Sequence, residues 1–306
     1  IIIFLILSSY LLGVFFEFLK SYPEHFTLST SAFWEKSIKF INVNYYDQLE
    51  LFKFYLLKYF MLPIKGFFIS IPWPWFIFIL VLLGWYYGRA KLAILNLILL
   101  AFIVINGLWL KAMVTIYLCG ASVILACLIG IPLGIWGGLN DRANKILSSI
   151  TDTLQTLPSF VYLIPVVMLF RVGDFTAMLA VILYSLAPAV KYTIHGIRSI
   201  NSEIIDAGKA NGCNNRQLLF NIRLPLALPE ILLGINQTIM LALSMLVITA
   251  LVGTRELGQE VYIALTKADI GRGLVAGLCV AFIAIISDNL IKSASKKMKL
   301  KYGFSL

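Results

Sequence analysis

The chain has 306 residues, of which 60% are hydrophobic and 13% are charged, and its mean hydropathy is +0.90. A soluble domain of this length does not need so apolar a composition to fill its core, so the composition excludes an ordinary soluble protein and predicts a polytopic membrane protein. The net charge of +10 is interpreted as an orientation signal, and no nucleic-acid partner is expected, because part of the surplus lies in short loops and at the carboxyl end.

The first 65 residues precede the main apolar region. Residues 1–19 form an apolar run interrupted by Glu17. A cleaved signal is the alternative interpretation, but no basic region precedes the run and no small-residue cleavage site follows it, which favours an N-terminal anchor helix. Residues 20–65 are predicted to be an extracytoplasmic or interfacial segment, since the aromatic stretch at 47–60 suits the headgroup region.

Uncharged runs then follow one another, and most approach the roughly 20 helical residues that cross a hydrocarbon core. They are residues 66–88, 92–110, 112–140, 153–170, 175–190, 231–254 and 273–287. The prediction is an all-α polytopic membrane protein. Its transmembrane domain, residues 66–292, has about seven core spanning helices, and the anchor helix is additional.

Lysines after the last apolar run orient the chain. They are Lys292, Lys296, Lys297, Lys299 and Lys301, with no intervening acid. By the positive-inside bias, this end and the basic tail at 293–306 are predicted to be cytoplasmic. Counting the spans backwards places residues 198–230 and the loop at 88–91 on the same side.

The sequence lacks the motifs of common catalytic and metal sites. With two histidines and no Cys-x-x-Cys pair, no metal site is expected. Neither a Gly-x-x-x-x-Gly-Lys-Ser/Thr phosphate loop nor a Gly-x-Ser-x-Gly nucleophile turn is present, so no catalytic residue is predicted and the chain is not expected to be an enzyme. The cysteines are interpreted as structural; they are Cys119, Cys127, Cys213 and Cys279.

One polar segment, EIIDAGKANGCNNRQLLFNIRLPLALPE at 203–230, interrupts the apolar runs. A short helix is predicted to end near Gly212, where glycine suits a left-handed cap, and a second helix follows the polar turn. Pro225 and Pro229 are expected to bend the chain as it re-enters the bilayer. A solvated loop is the alternative, but the second helix has an apolar face that needs a partner surface: Leu218, Leu219, Ile222 and Leu224.

The spacing within this segment resembles the EAA motif of binding-protein-dependent ABC importer permeases. The matching positions are Asp206, Ala207, Gly212, Ile222, Leu224 and Pro225. Two positions depart from the motif, because Asp206 stands where the family usually has Glu and Gly208 stands where it has its second Ala. The first departure keeps the carboxylate, and the second weakens the helix by roughly 0.5 to 1 kcal/mol relative to Ala.

The resemblance extends over about residues 72–292 and is most similar to the glycine betaine/proline permeases of that superfamily. It is carried by GIPLGIWGG at 130–138, DTLQTLPSFVYLIPVVMLF at 152–170, GINQTIMLALSMLVITALVG at 234–253 and LGQEV at 257–261. The resemblance implies an ABC importer permease-type helical bundle in the bacterial inner membrane.

The resemblance also implies partners and a substrate class. Two copies of an ATP-binding subunit would bind ATP and Mg, and this chain would hold no cofactor. A second permease copy or a similar subunit would complete the path, and an extracytoplasmic binding protein would deliver a small compatible solute. Glycine betaine, proline, choline, carnitine and trimethylamine N-oxide all remain open.

Residues 198–230 would then be the coupling loop, which docks on the ATP-binding subunit. The residues assigned to this contact are Asp206, Ala207, Gly208, Lys209, Ala210, Gly212, Ile222, Leu224 and Pro225.

Polar groups within apolar runs are candidates for the substrate pathway, since burying them in a membrane is costly. The candidates are Asn236, Gln237, Thr238, Met240, Ser244, Met245, Phe160 and Tyr162. The polar ones have interhelical hydrogen bonding as their alternative role. The methionines are a candidate constriction and the aromatics candidate contacts for a quaternary ammonium, with packing as the alternative for both.

Two competing classes are a secondary transporter or channel that works without ATP and a membrane scaffold. The first should show carboxylates within the membrane for ion coupling, and here the apolar runs offer little beyond Glu17 and Asp288. A scaffold would not need the EAA-like spacing.

Overall fold

The computed structural model describes residues 2–15 and 27–301, and the chain divides into two units, Ile1–Tyr46 and Asp47–Leu306. The predictions for residues 16–26, which include Glu17 and the end of the anchor helix, lie outside the described residues. The same holds for residues 302–306 at the end of the basic tail.

The first unit contains two helices, α1 (Ile2–Phe15) and α2 (Ser31–Asn44). α2 buries none of its residues, and its aromatic pair Phe33 and Trp34 is largely exposed. Among its described residues, this unit therefore has no core of its own.

The second unit opens with α3 (Tyr46–Leu56), which continues through a π-helical turn at Leu57–Met61 into α4 (Leu62–Ser70). Residues 47–70 are called the strap here. Its Met61 is fully buried, and Lys65 Nζ lies 2.7 Å from an Asp174 oxygen. Lys53 donates to the Phe170 carbonyl at 3.1 Å, so the strap binds the turn at residues 171–173 from two sides.

α5 (Trp73–Ile105) is a helical hairpin rather than one straight helix. Its chain reverses at Arg89, where φ is 58° and ψ is −160°. Asn96 Nδ2 donates to the Leu80 carbonyl at 3.0 Å, although 16 residues of straight helix would separate the two by roughly 24 Å. The two arms correspond to the apolar runs predicted at 66–88 and 92–110. Both runs lie mostly within α5 because the backbone departs from helical geometry only at Arg89.

The remaining helices build the bundle. They are α6 (Trp109–Leu139), α7 (Asp141–Thr156), α8 (Ser159–Phe170), α9 (Asp174–Arg198), α10 (Ser202–Ala210), α11 (Asn215–Gln217), α12 (Leu224–Thr249), α13 (Leu257–Lys267) and α14 (Ile270–Lys301). A π-helical turn at Leu218–Arg223 joins α11 to α12, and a 3₁₀ turn at Ala250–Val252 follows α12.

The predicted all-α membrane fold is confirmed. The described residues contain no strand, and five helices are long and apolar enough to cross a membrane. A sixth span arises if α7 and α8, which meet at 96°, are counted as one broken helix. The sequence predicted about seven core spans, and the described residues give five or six, because the runs at 66–88 and 92–110 lie mostly within the single element α5.

A row of glycines lets α6 and α9 approach closely. A Cβ placed on Gly134 would lie 2.5 Å from Thr193 Cβ and 2.8 Å from the Val190 carbonyl oxygen, and one on Gly130 would lie 2.8 Å from Ala189 Cβ. Small residues serve this purpose in membranes, where association depends on van der Waals packing. α9 therefore lies at the centre of the bundle, with the strap near its first residue and the segment 198–230 after its last, roughly 37 Å away. These two ends are called the strap end and the loop end.

Gly134→Val should lower the stability of the bundle by about 1 to 3 kcal/mol, because the added methyl groups meet the α9 backbone and force the two helices apart. The measurement is the thermal unfolding midpoint of the purified protein in detergent. Gly120→Val is the matched control on the same helix, since a Cβ there meets nothing within 4 Å. Equal midpoints for the two variants would contradict the close α6–α9 contact.

Candidate functional site

The EAA-like segment begins with a short helix capped at both ends. At the start of α10, the Asn201 side chain accepts from the Glu203 N–H at 3.0 Å. At its end, Gly212 has φ of 80°, its N–H donates to the Lys209 carbonyl at 2.9 Å, and the Cys213 N–H donates to the Gly208 carbonyl at 3.1 Å. These two bonds form a Schellman motif, so the predicted glycine cap is present.

The second helix starts directly after this turn. Asn214 and Gln217 form a capping box, in which each side chain accepts from the other's backbone N–H. Helical conformation then continues through the π-helical turn at 218–223 into α12. The chain therefore becomes helical at Asn215, ten residues before Pro225, where the second helix was predicted to follow the polar turn. The segment is one short helix followed by the beginning of a long one.

Gly208 is the contact point between the two helices. It is buried, and a Cβ there would lie 2.6 Å from Ile222 Cδ1 and 2.9 Å from Leu218 Cδ2. The departure from the EAA motif at this position thus removes a side chain from a tight contact. Leu218 was expected to need a partner surface, but it is buried and packs on Gly208 of the same chain. Ile222 touches the same glycine and is half-buried, so its contact with a partner stays a prediction.

The solvent-facing side of the segment carries the other motif residues. Those that are exposed are Asp206, Ala207, Lys209, Ala210 and Gly212, whereas Ile222, Leu224 and Pro225 are half-buried. Lys209 and Asp206 pair with each other at 3.1 Å. The apolar side chains that remain free for a partner are Ile204, 45% exposed, and Phe220, 63% exposed. Sequence reasoning missed both; for Phe220 the reason is the π-helical turn, which shifts the residues that share a face.

The loop end is tied to the neighbouring turn between α6 and α7. Arg198 donates to the Gly137 carbonyl at 3.2 Å and to Asp141 Oδ1 at 2.7 Å. A polar cavity of about 250 Å³ lies beside this contact and is lined by Ile205 of α10 and Arg223 of the π-helical turn, among others. α10 therefore faces the ends of α6 and α9 across this cavity.

The predicted pathway residues of α12 separate into two sets. Gln237 and Ser244 are exposed and Met240 is half-buried, and at this spacing the three share one helix face. Thr238 and Met245 are fully buried, and Thr238 bonds to the Gly234 carbonyl at 2.9 Å. Thr238 and Met245 therefore have the alternative role, packing and hydrogen bonding within the bundle. The face formed by Gln237, Met240 and Ser244 remains the predicted substrate pathway.

Asn236 belongs with the buried set. It is 1% exposed, and its Nδ2 donates to Asp288 Oδ1 at 2.6 Å. Asp288 also pairs with Lys292 at 2.8 Å, one turn later on α14. Asn236 therefore joins α12 to α14 as an interhelical hydrogen bond, which was its alternative role.

The aromatic candidates on α8 also point in different directions. Phe160 is exposed, and Ile164 and Met168 extend its face along the helix. Tyr162 is buried, donates to the Leu154 carbonyl and meets the Tyr184 ring edge-on at 5.8 Å between centroids. Packing thus accounts for Tyr162, and Phe160 is the aromatic candidate left on a free surface.

The strap end holds buried charges that the sequence did not reveal. Glu260 is 4% exposed and pairs with Lys111 and with Arg272, whose Nε lies 2.5 Å from it. Glu256 is fully buried and accepts from the Gly258 N–H at 2.7 Å and from the hydroxyls of Thr115 and Thr254. Only the tertiary fold brings Thr115 to Glu256, 141 residues later in the chain, so spacing gave no signal.

Burial raises the pKa of the Glu256 carboxyl from 4.5 to about 7, the Gly258 N–H and the threonine hydroxyls oppose this change, and the charge of Asp174 adds to it. Glu256 lies outside the apolar spans, between α12 and α13. It is therefore a carboxyl that changes charge near neutral pH at the strap end.

Comparison with known proteins places this geometry in a family. Residues 130–300 match the family described as "Binding-protein-dependent transport system inner membrane component". The chain belongs to this family. The resemblance predicted from the EAA-like spacing is thereby confirmed, and the matched region contains residues 198–230, α12 and α14 up to residue 300.

Curated relatives of this chain are named as permease proteins of solute transport systems. It is 36% identical to the trimethylamine N-oxide transport system permease protein of Pelagibacter ubique, over 97% of this chain and 43% of the relative. It is 37% identical to the glycine betaine/proline betaine transport system permease protein of Escherichia coli, over 74% of this chain and 64% of the relative. The glycine betaine transport system permease protein of Bacillus subtilis is also 37% identical, over 71% and 77%.

The chain thus spans less than two thirds of the length of the first two relatives. Among solved structures, a chain of the MetNI methionine ABC transporter in inward-facing conformations matches with a TM-score of 0.55. It is 17% identical, over 67% of this chain and 97% of that one, so this likeness supports the fold.

The two neighbouring amides of α12 should behave differently when truncated. Gln237→Ala removes an exposed side chain and should leave the thermal midpoint unchanged while lowering solute uptake in reconstituted vesicles. Asn236→Ala leaves Asp288 without its α12 donor and should lower stability by about 1 to 3 kcal/mol. A stable Asn236→Ala protein together with normal uptake by Gln237→Ala would contradict this separation.

The protonation of Glu256 predicts a pH dependence of stability. Because its pKa is higher in the folded protein than in the unfolded chain, the folded state binds the additional proton between about pH 5 and pH 7, so stability should fall as pH rises through this range. Glu256→Gln cannot ionise and should flatten the curve, with a gain on the order of 3 kcal/mol at about pH 8.

The measurement is the thermal midpoint of the detergent-solubilised protein across this range. Glu203→Gln is the control, because Glu203 is exposed at the loop end and should leave the wild-type slope intact. A Glu256→Gln protein that keeps the wild-type slope would contradict the assignment.

Proposed function

We propose that this chain is the membrane-spanning subunit of an ATP-driven importer for a small compatible solute. The observation that carries the proposal is the folded form of the EAA-like segment. α10 is capped at both ends and its Gly208 contacts the π-helical turn that leads into α12. Ile204 of α10 and Phe220 of that turn face the exterior. A segment built in this way can receive force on one surface and pass it into a spanning helix.

The proposed partner at this surface is a separate ATP-binding subunit, present in two copies, which binds ATP and Mg. Its closure would push on α10, and the contact at Gly208 would transmit the push to α12. The bonds from Arg198 to the α6–α7 turn would carry the same movement to α6. This chain supplies no phosphate-binding loop, which is consistent with ATP chemistry residing in a partner.

The loop end is proposed to face the cytoplasm, together with the carboxyl end of the chain. The α5 reversal supports this orientation, since Lys297 of α14 lies 3.5 Å from the Tyr86 ring centroid, next to the basic turn at Arg89. The basic sequences at 88–91 and after 292 therefore lie at one end of the bundle, as the positive-inside bias requires. The strap end would then face an extracytoplasmic binding protein.

The proposed substrate class is a small methylated amine. Relatives matched over most or all of this chain are named for transport of trimethylamine N-oxide and of glycine betaine, which share a compact dipolar head. The proposed path runs along the exposed face formed by Gln237, Met240 and Ser244 and is completed by a second permease copy or a similar subunit. Family membership supports this function over that of a secondary transporter.

The cap at Gly212 provides the test of coupling. Gly212→Val places a β-branched residue at φ of 80°, at a cost of about 1 to 2 kcal/mol, and should redirect the chain after α10. Gly212→Asn is the control, because asparagine tolerates this conformation. In complexes purified with the ATP-binding subunit, the Val variant should lose most uptake while the bundle stays folded, and the Asn variant should retain it.

Uptake, ATPase rate and retention of the ATP-binding subunit are measured on the same preparations. The Val variant is expected either to release that subunit or to hydrolyse ATP without moving solute. Normal uptake with normal ATPase in the Val variant would show that residues 203–230 are an ordinary loop. Uptake by the wild-type complex without ATP would favour the secondary transporter.

A further inference from the structure

A cluster of exposed cations lies where α14 meets the α5 hairpin. Lys297 Nζ lies 3.5 Å from the Tyr86 ring centroid and 5.7 Å from that of Tyr87, which joins the end of α14 to the hairpin turn. Asp288, an acid earlier on α14, forms an ion pair with Lys292. Within the described residues, none of the ion pairs includes a cation of this cluster. The exposed cations of this cluster are Arg89, Lys91, Lys296 and Lys297.

At the turn of the α5 hairpin, Arg89 occupies a backbone conformation that favours glycine. Arg89 adopts φ of 58° and ψ of −160°, a conformation that glycine adopts readily and that L-residues with a side chain rarely do. Gly88 precedes it in the sequence, yet the strained position holds the charged residue. The Arg89 side chain is exposed and takes part in none of the ion pairs found in the described part of the chain, so the contacts of the bundle do not account for it.

An apolar cavity of about 330 Å³ lies between the same elements, further along their axes. Leu80 and Leu100 line it from the two arms of the hairpin, and Leu290 lines it from α14, about 10 Å along the helix from Lys297. α6 closes another side with Gly120 and with Ile124, which is 51% exposed, so the cavity reaches the surface of the bundle.

The cations and the cavity are arranged as the headgroup and the acyl chain of a lipid would require. Phe102 and Phe282 meet at 5.1 Å and Tyr86 meets Lys297, so α14 runs along the hairpin for its whole length. The cations lie at the end of these apolar helices, where a bilayer would place its headgroups, and the cavity lies further along them, where it would place its hydrocarbon. Clusters of Lys and Arg at this level attract anionic headgroups.

We propose that this groove, lined by the α5 hairpin, α6, α14 and, through Ile239 and Leu243, α12, is a binding site for one anionic phospholipid. The phosphate lies against Arg89, Lys91 and Lys296, and one acyl chain occupies the cavity at Gly120. A soluble anion is a poorer fit because it has no acyl chain to fill the cavity. A zwitterionic lipid is a poorer fit because it carries no net negative charge to offset the charge of the cations. The bound lipid joins the hairpin to the helices that carry the proposed transport path. The site itself does not depend on the proposed function.

The test counts lipids retained by the purified protein. Wild-type protein is exchanged into detergent with equal amounts of phosphatidylglycerol and phosphatidylcholine, washed, and examined by native mass spectrometry. One phosphatidylglycerol per chain is expected. The triple variant Arg89→Gln, Lys91→Gln, Lys296→Gln should retain at least tenfold less, and Gly120→Leu should reduce retention similarly, because its side chain enters the cavity without meeting protein atoms at Cβ.

A charge-matched control removes exposed cations elsewhere, with Lys209→Gln, Arg216→Gln and Lys267→Gln, and should keep the wild-type retention. Wild-type protein is also washed with excess glycerol 3-phosphate, which should not displace the lipid, so the proposal remains testable even if a variant does not fold. Displacement by that soluble anion, equal retention of phosphatidylcholine, or full retention by folded Gly120→Leu protein would each overturn the proposed site.

Discussion

The close approach of α6 and α9 is the contact on which the rest of the bundle depends. At Gly134 the two helices are near enough that even a methyl group would meet α9. Since lipid offers no hydrophobic drive for association, such surface matching has to hold helices together in a membrane. With α9 held at the centre, its first residue, Asp174, binds Lys65 of the strap, and its last residue, Arg198, binds Asp141 at the loop end. Contacts at both ends of the bundle are therefore made from one rigid helix.

The distribution of charge follows the same logic. Arg198 and Asp141 lie at the loop end, and the group formed by Lys111, Glu260 and Arg272 lies at the strap end, where the spans terminate. Charged groups in the middle of a bilayer are expensive, so their pairing at helix ends allows strong contacts without that cost. Asp288 differs from these groups because it lies within the span of α14. It accepts a hydrogen bond from Asn236 and pairs with Lys292.

Local signals in the sequence were sufficient to predict the helix ends in the EAA-like segment and the presence of membrane spans. The cap at Gly212 and the new start at Asn214 depend on residues within one turn, and a long apolar run identifies itself. What could not be predicted requires a distant partner. The reversal at Arg89 is stabilised by the opposite arm of the hairpin, the burial of Glu256 depends on Thr115, and the inward face of Leu218 depends on Gly208.

The π-helical turn at Leu218–Arg223 has a consequence for how such proteins can diverge. A π turn holds one residue more than an α turn, so everything on one side of it is rotated by about 100° relative to a regular helix. Loss of a single residue there would convert the turn to an α-helix and swing α10 around the axis of α12. The direction in which the exposed face of α10 points is thus adjustable by one-residue insertions and deletions in the turn.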